Sequence, residues 1–287
     1  MKVVVAIDGS EHTTLIIQNL KALAPMEDIL LLHALQVPQL AYPGTGMSIG
    51  HEFSKHAEEA LREDGTRILE DVALQLPDDL GPIHQRLELG HPAEVILSIS
   101  EREKPDLIIV GSRGLGVIRE QALGSVSHRV MTHTPCSTLV VKGKNDSFQN
   151  VLVPIEHKTD AEHIVSFLST HPFRGKVHLT FLHVIPFAQP VLPVGALIPE
   201  SMRKNLIEDS EQFTNEIATR LSAVGYATST IVRSGAPSIV IHEEARRLGA
   251  NLIVMERQKK DTLNRFLLGS VSHSVTHHGT YSVLLLK

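Results

Sequence analysis

Short apolar runs alternate with longer stretches whose apolar residues recur every three or four positions, and the chain writes this alternation out twice. In the first half, the β-branched run Val3-Val4-Val5-Ala6-Ile7 stops at Asp8-Gly9-Ser10, the pattern of a buried parallel strand entering a turn. Leu15, Ile16, Leu20 and Leu23 then keep helical spacing as far as Pro25, and 29–32 supplies a second strand. Residues 37–50, rich in Pro and Gly, predict a loop. A long amphipathic helix is expected over 56–76, a strand over 83–89, and a helix over 92–102 with Pro92 near its start. Strands over 107–110 and 137–141 flank a helix over 125–132. The second half repeats the pattern, with strands expected over 151–155, 177–182, 228–232, 252–255 and 282–286.

Five short apolar strands alternating with four helices specify a parallel sheet covered on both faces, because right-handed crossovers lay the helices on the sheet. The repetition extends to individual residues. Gly124-Ser125-Val126-Ser127-His128 returns as Gly269-Ser270-Val271-Ser272-His273, an offset of 145 positions that also pairs Gly90 and Pro92 with Gly235 and Pro237. A duplicated domain explains this. The polar stretch 142–149 is the linker, and the domains are expected over 1–144 and 149–287. A length of 287 residues suits two such cores.

Composition narrows the function classes. A net charge of −5, with no basic run, gives no electrostatic attraction to nucleic acid. No apolar stretch approaches the roughly 20 residues of a membrane helix. The opening apolar run is cut by Asp8, too early for a secretory signal, so a cytoplasmic protein with no membrane partner is expected. Cys136, the single cysteine, lies beside an apolar run and reads as a buried structural thiol. The 17 histidines show no recognised metal-ligand spacing, and no metal site is assigned. No nucleophile, base and orienting group form a legible trio, so no catalytic residue is assigned either.

The chemistry sits in one strand, loop and helix segment. Gly111-Ser112-Arg113-Gly114 follows the fourth strand, and Gly124-Ser125 opens the next helix. A glycine cluster alone usually marks a turn. Here, successive backbone N–H groups of a glycine loop and of a helix N-terminus would converge on one anion, and phosphate is the natural ligand. The loop lacks the GK[ST] ending of a P-loop. Its GxxGxG spacing after the fourth strand also differs from a dinucleotide fingerprint after the first.

The pattern Gly111-x2-Gly114-x9-Gly124-Ser125, together with VVVAIDGS over residues 3–10, resembles the nucleotide-binding signature and first strand of the universal stress protein family. The resemblance covers both halves and implies a tandem protein of two five-stranded parallel sheets in the order 3-2-1-4-5, the adenine nucleotide alpha hydrolase-like fold. It implies ATP as ligand, with Mg²⁺ as an optional companion. Asp8 and Ala6 would meet the nucleoside, the backbone at Ala34 the adenine, and Val110 and Gly111 the base and ribose. Gly114, Gly124, Ser125 and Val126 would hold the phosphates. Arg113 is a secondary candidate as a nearby cation, as is Arg119. For Asp8 a plain turn role, and for Ser125 a plain helix cap, stand as structural alternatives.

In the second copy Glu256 and Lys259 replace Gly111 and Gly114, and Pro154-Ile155-Glu156 replaces Ala6-Ile7-Asp8. Two bulky residues then occupy positions where the turn is expected to require positive φ. Glu256 also brings negative charge close to any bound phosphate. This copy is expected to act as the structural half of an internal pseudo-dimer, the family's fifth strands often pairing. Pairing with a second chain, and the identity of any protein partner, stay open. The charge-free stretch 190–199 would serve interdomain packing, or else cover an apolar pocket or meet another protein. The expected function is an ATP-binding regulatory module of the stress response. A slow ATPase or nucleotidyl-transfer enzyme built on Asp8, and a nucleotide-free scaffold or carrier of an apolar ligand in the second half, are the alternatives.

Overall fold

The structure, a computed structural model, describes residues 1–37, 47–114, 123–143, 145, 147–186, 200–257 and 268–287, with the side chains of 47–54 left aside. The chain divides into two compact units, residues 1–21 with 25–141, and residues 22–24 with 142–287.

In the first unit the strands are β1 (Lys2–Ile7), β2 (Asp28–Leu35), β3 (Ile83–Leu89), β4 (Leu107–Gly111) and β5 (Ser137–Val141), all parallel in the order β3-β2-β1-β4-β5. The helices are α1 (Glu11–Lys21), α2 (Met47–Gln75), α3 (Pro92–Glu103) and α4 (Ser125–His133). Helices α1 and α2 lie on one face of the sheet, and α3 and α4 on the other. The central strands are therefore dry on both sides: Val3, Val4, Val5, Ile108 and Ile109 are completely buried. The chain leaves β1 for α1 on one face and β4 for α4 on the opposite face. This parts the connections and opens a crevice at the carboxyl ends of the two neighbouring strands.

The second unit repeats the topology. Its strands are β6 (Asn150–Ile155), β7 (His178–Ile185), β8 (Ala227–Ser234), β9 (Leu252–Glu256) and β10 (Ser282–Leu286), parallel in the order β8-β7-β6-β9-β10. Its helices are α5 (Lys158–Leu168), α6 (Glu200–Ala223), α7 (Pro237–Arg247) and α8 (Ser270–His278).

Three expectations are corrected. Helix α2 begins at Met47, inside the span expected to be a loop. A glycine such as Gly50 near a helix end costs only about 1 kcal/mol relative to alanine, which the packing of a 29-residue helix on β2 and β3 offsets. Strand β2 runs on to Leu35, past the end of the apolar run, because the polar His33 is satisfied inside the sheet: its Nδ1 lies 2.8 Å from the carbonyl oxygen of Ile7. Cys136 is half-buried, not buried, since it precedes the first residue of β5 and its Sγ sits 3.2 Å from the Thr134 hydroxyl. The stretch 190–199, Lys259 and Arg119 lie outside the described residues.

Candidate functional site

The crevice of the first unit is built by local hydrogen bonding at the ends of β1 and β4. Asp8 follows β1, and its Oδ1 accepts from the Ser10 backbone N–H at 3.1 Å and from the Ser10 hydroxyl at 2.6 Å. Those bonds fix the carboxylate at the mouth of the turn. Gly9 takes φ +72° to start α1, and a Cβ there would also lie 2.7 Å from Ile68 Cδ1 on α2. Asp8 thus has the turn role that a bland reading gives it, while its other oxygen, Oδ2, faces Gly114.

Past β4, the Ser112 N–H donates to the carbonyl of Val141, and the Gly124 N–H donates to the carbonyl of Ser112 at 2.7 Å. The Ser127 hydroxyl donates to the carbonyl of Gly111. The first turn of α4 is thereby stitched to the end of β4. Gly124, not Ser125, occupies the N-cap position with extended φ/ψ, and no side chain caps the helix. The N–H groups of the first turn have no intrahelical partner, and the helix dipole adds partial positive charge there.

The expected reason for the glycines is corrected. Neither Gly111, Gly114 nor Gly124 has positive φ. What a side chain at each would meet is crowding, not a forbidden backbone angle. A Cβ on Gly111 would meet His12 Cβ at 3.1 Å and the carbonyl oxygen of Arg113 at 3.2 Å, and one on Gly114 would collide with Asp8 Oδ2. A Cβ on Gly124 would come within 3.3 Å of the Ser112 carbonyl oxygen. Bare backbone is thus what lets the loop, the Asp8 turn and the helix start surround one space.

That space is a cavity of about 470 Å³. Ala6, Asp8, Ala34, Val110 and Gly111 line it, as do Arg113, Gly114, Gly124, Ser125 and Val126, so the structure brings all ten sequence-assigned residues together. It adds residues that sequence reasoning missed: His12 and Ile16 from α1, His33 from β2, and Leu61, Asp64, Gly65 and Ile68 from α2. The signal for Gly65 was a lone glycine inside a helical pattern. A Cβ there would come 2.7 Å from Leu87 Cδ1 and 2.9 Å from His33 Cδ2, so the gap lets α2 close onto β2. Burial holds the His12 imidazole below its usual range; the Arg113 guanidinium adds to this, and the Asp8 and Glu11 carboxylates oppose it.

The matching crevice of the second unit is much smaller, about 60 Å³. Pro154, Glu156 and Glu256 line it where Ala6, Asp8 and Gly111 line the first. Glu256 Oε1 is 2.9 Å from His163 Nδ1 of α5, which holds the carboxylate at the crevice. The supporting frame persists: Ser272 Oγ lies 3.5 Å from the Glu256 carbonyl, and His183 Nδ1 lies 2.9 Å from the Ile155 carbonyl, as His33 does from Ile7. Gly269 again precedes a helix without a side-chain cap.

The model of the Universal stress protein family matches this chain twice, over residues 1–142 and 147–287. The chain belongs to the universal stress protein family. Over 156 residues it is 29% identical to Universal stress protein MJ0577 of Methanocaldococcus jannaschii, a match that takes in 50% of this chain and 96% of that protein. A universal stress protein of Mycolicibacterium smegmatis is 21% identical over 299 residues, spanning 99% of this chain and 96% of its own. A solved structure is similar in fold to this universal stress protein over both of its domains. The crystal structure of a universal stress protein from Archaeoglobus fulgidus superposes with a TM-score of 0.60 at 22% identity, covering 99% of this chain and 96% of the other. Among the described residues, no helix is long and apolar enough to cross a membrane.

Proposed function

We propose that the first domain, residues 1–144, binds ATP in the crevice between β1 and β4, and that the protein works as a nucleotide-dependent regulatory module of the stress response. The observation that carries this reading is the convergence of a crowded glycine loop and an uncapped helix N-terminus on one cavity of about 470 Å³. The volume falls within the range of roughly 300–1,000 Å³ common for small-molecule sites. In this reading the backbone of Ala34 and the side chain of Val110 bracket the adenine, with Ala6 beneath it. Asp8 accepts from a ribose hydroxyl. The N–H groups of Gly114, Ser125 and Val126, with Gly124 leaving room, receive the phosphates, and Arg113 supplies a nearby positive charge. Mg²⁺, where present, would neutralise phosphate charge that the loop leaves uncovered. The second domain, residues 149–287, supplies the matching fold without the nucleotide, since Glu256 narrows the crevice and sets a negative charge close to where a phosphate would bind.

Calorimetric titration of the full chain with ATP, together with mass spectrometry of small molecules retained on purification, tests the reading. Saturable heat and a retained adenine nucleotide support it. A retained apolar ligand with no heat from ATP would replace it with the carrier alternative.

A further inference from the structure

His12 lines the cavity beside Gly111, with Arg113 and Asp8 among its charged neighbours, and has no part in the ligand set above. It is the second residue of α1, and its backbone N–H donates to Ser10 Oγ at 3.3 Å, within the same turn that fixes Asp8. Its Cβ stands 3.1 Å from where a side chain on Gly111 would begin, so the imidazole shares the cavity wall with the anion loop. The charged groups facing it are Asp8 from the end of β1, Glu11 from α1 and Arg113 from the loop after β4. The start of α4, with its partial positive charge, lines the same cavity. Resting on the nucleotide reading, we propose that His12 takes up a proton from solvent when a polyphosphate binds beside it, so that nucleotide affinity rises as pH falls.

The physical reason is a change in the sign of the local field. With the cavity free of anion, burial and the Arg113 guanidinium disfavour the imidazolium, and the imidazole is neutral at pH 7. A polyphosphate at the α4 N-terminus covers Arg113 and the helix dipole with several negative charges, which favours the protonated ring. Binding and protonation then reinforce each other, because any group whose pKa rises on binding takes up protons and links affinity to pH. The phosphates cannot mimic this signal. Held against arginine and backbone N–H groups, they lose protons on binding, so a net uptake must come from the protein.

The test is calorimetric titration of the full-length protein with ATP at several values between about pH 5.5 and about pH 8, a range that brackets the ordinary histidine pKa. The same titrations are made on His12→Gln. ATP's own titration is common to both, so the ratio of wild-type to variant affinity isolates the imidazole. The expected result is a ratio that grows about tenfold as pH is lowered across that range, one pKa unit corresponding to a factor of ten. Titrations of both proteins near pH 6.5, repeated in buffers of different ionisation enthalpy, should show greater proton uptake by the wild type than by His12→Gln. A constant ratio, or the same proton uptake in wild type and His12→Gln with ATP still bound, overturns the role of His12 and leaves the nucleotide reading intact. No ATP binding at any pH overturns both.

Discussion

The second carboxylate oxygen of Asp8 stands where a side chain on residue 114 would begin. The turn after β1 and the loop after β4 are fitted to each other only because residue 114 is glycine. Gly114→Val should displace the acid, whose Oδ1 is tied to Ser10, and push the loop out of the cavity. ATP affinity is expected to fall at least tenfold, about 1.4 kcal/mol, with little change in the thermal midpoint. Unchanged affinity by calorimetry would remove the site from this crevice.

The first crevice holds about 470 Å³ and the second about 60 Å³. Calorimetry of the intact chain should therefore give one ATP per chain. Glu256→Gly alone should not raise that number to two, since Pro154 and Glu156 still line the second crevice. A stoichiometry of two in the unaltered chain would contradict the assignment of the second domain.

Ser127 is buried, and its hydroxyl joins the first turn of α4 to the carbonyl of Gly111. Ser127→Ala leaves that carbonyl without this donor. A loss of about 1–2 kcal/mol in unfolding free energy is expected, read from the urea midpoint. ATP binding should weaken as well, because the helix start is no longer fastened to the strand. A variant as stable as the parent would mean that the link carries no weight.

Glu103 accepts from Arg86 at 2.8 Å and from Lys2 at 3.2 Å, and these hydrogen bonds hold its carboxyl down to about 2 against an ordinary 4.5. A carboxylate whose pKa is depressed by folding stabilises the folded state above its unfolded pKa and loses that contribution as pH falls through its folded one. The thermal midpoint of the wild type should exceed that of Glu103→Gln at neutral pH. The gap should close as pH is lowered from about 4.5 to about 2. A gap that is independent of pH would show that the pair does not titrate with folding.

Much of this fold is legible in the sequence because its strands are buried on both faces and appear as unbroken apolar runs. The expected spans for β3, β5 and β10 coincide with those observed. The start of α2 was hidden because local Pro and Gly chemistry outweighed the packing that only the sheet supplies. His33 and Ala34 looked like the end of a strand because the Ile7 carbonyl that satisfies the imidazole lies 26 positions away. The glycine motif pointed to the segment that lines the cavity, but not for the reason expected. Positive φ is a local property that a sequence can suggest, whereas the crowding of Gly114 against Asp8 joins residues more than a hundred positions apart. The α2 wall of the cavity, through Leu61, Asp64 and Ile68, was invisible for the same cause, since nothing local says which helix face will roll over the crevice.

On the proposed reading, Glu256, gripped by His163 in the narrow hollow of the second domain, leaves this protein a single voice in sensing its ligand. Occupancy of an isolated polypeptide would then climb along a plain hyperbola, with a Hill coefficient of one. Any steeper, threshold-like response in a cell would have to be assembled from several polypeptides acting together.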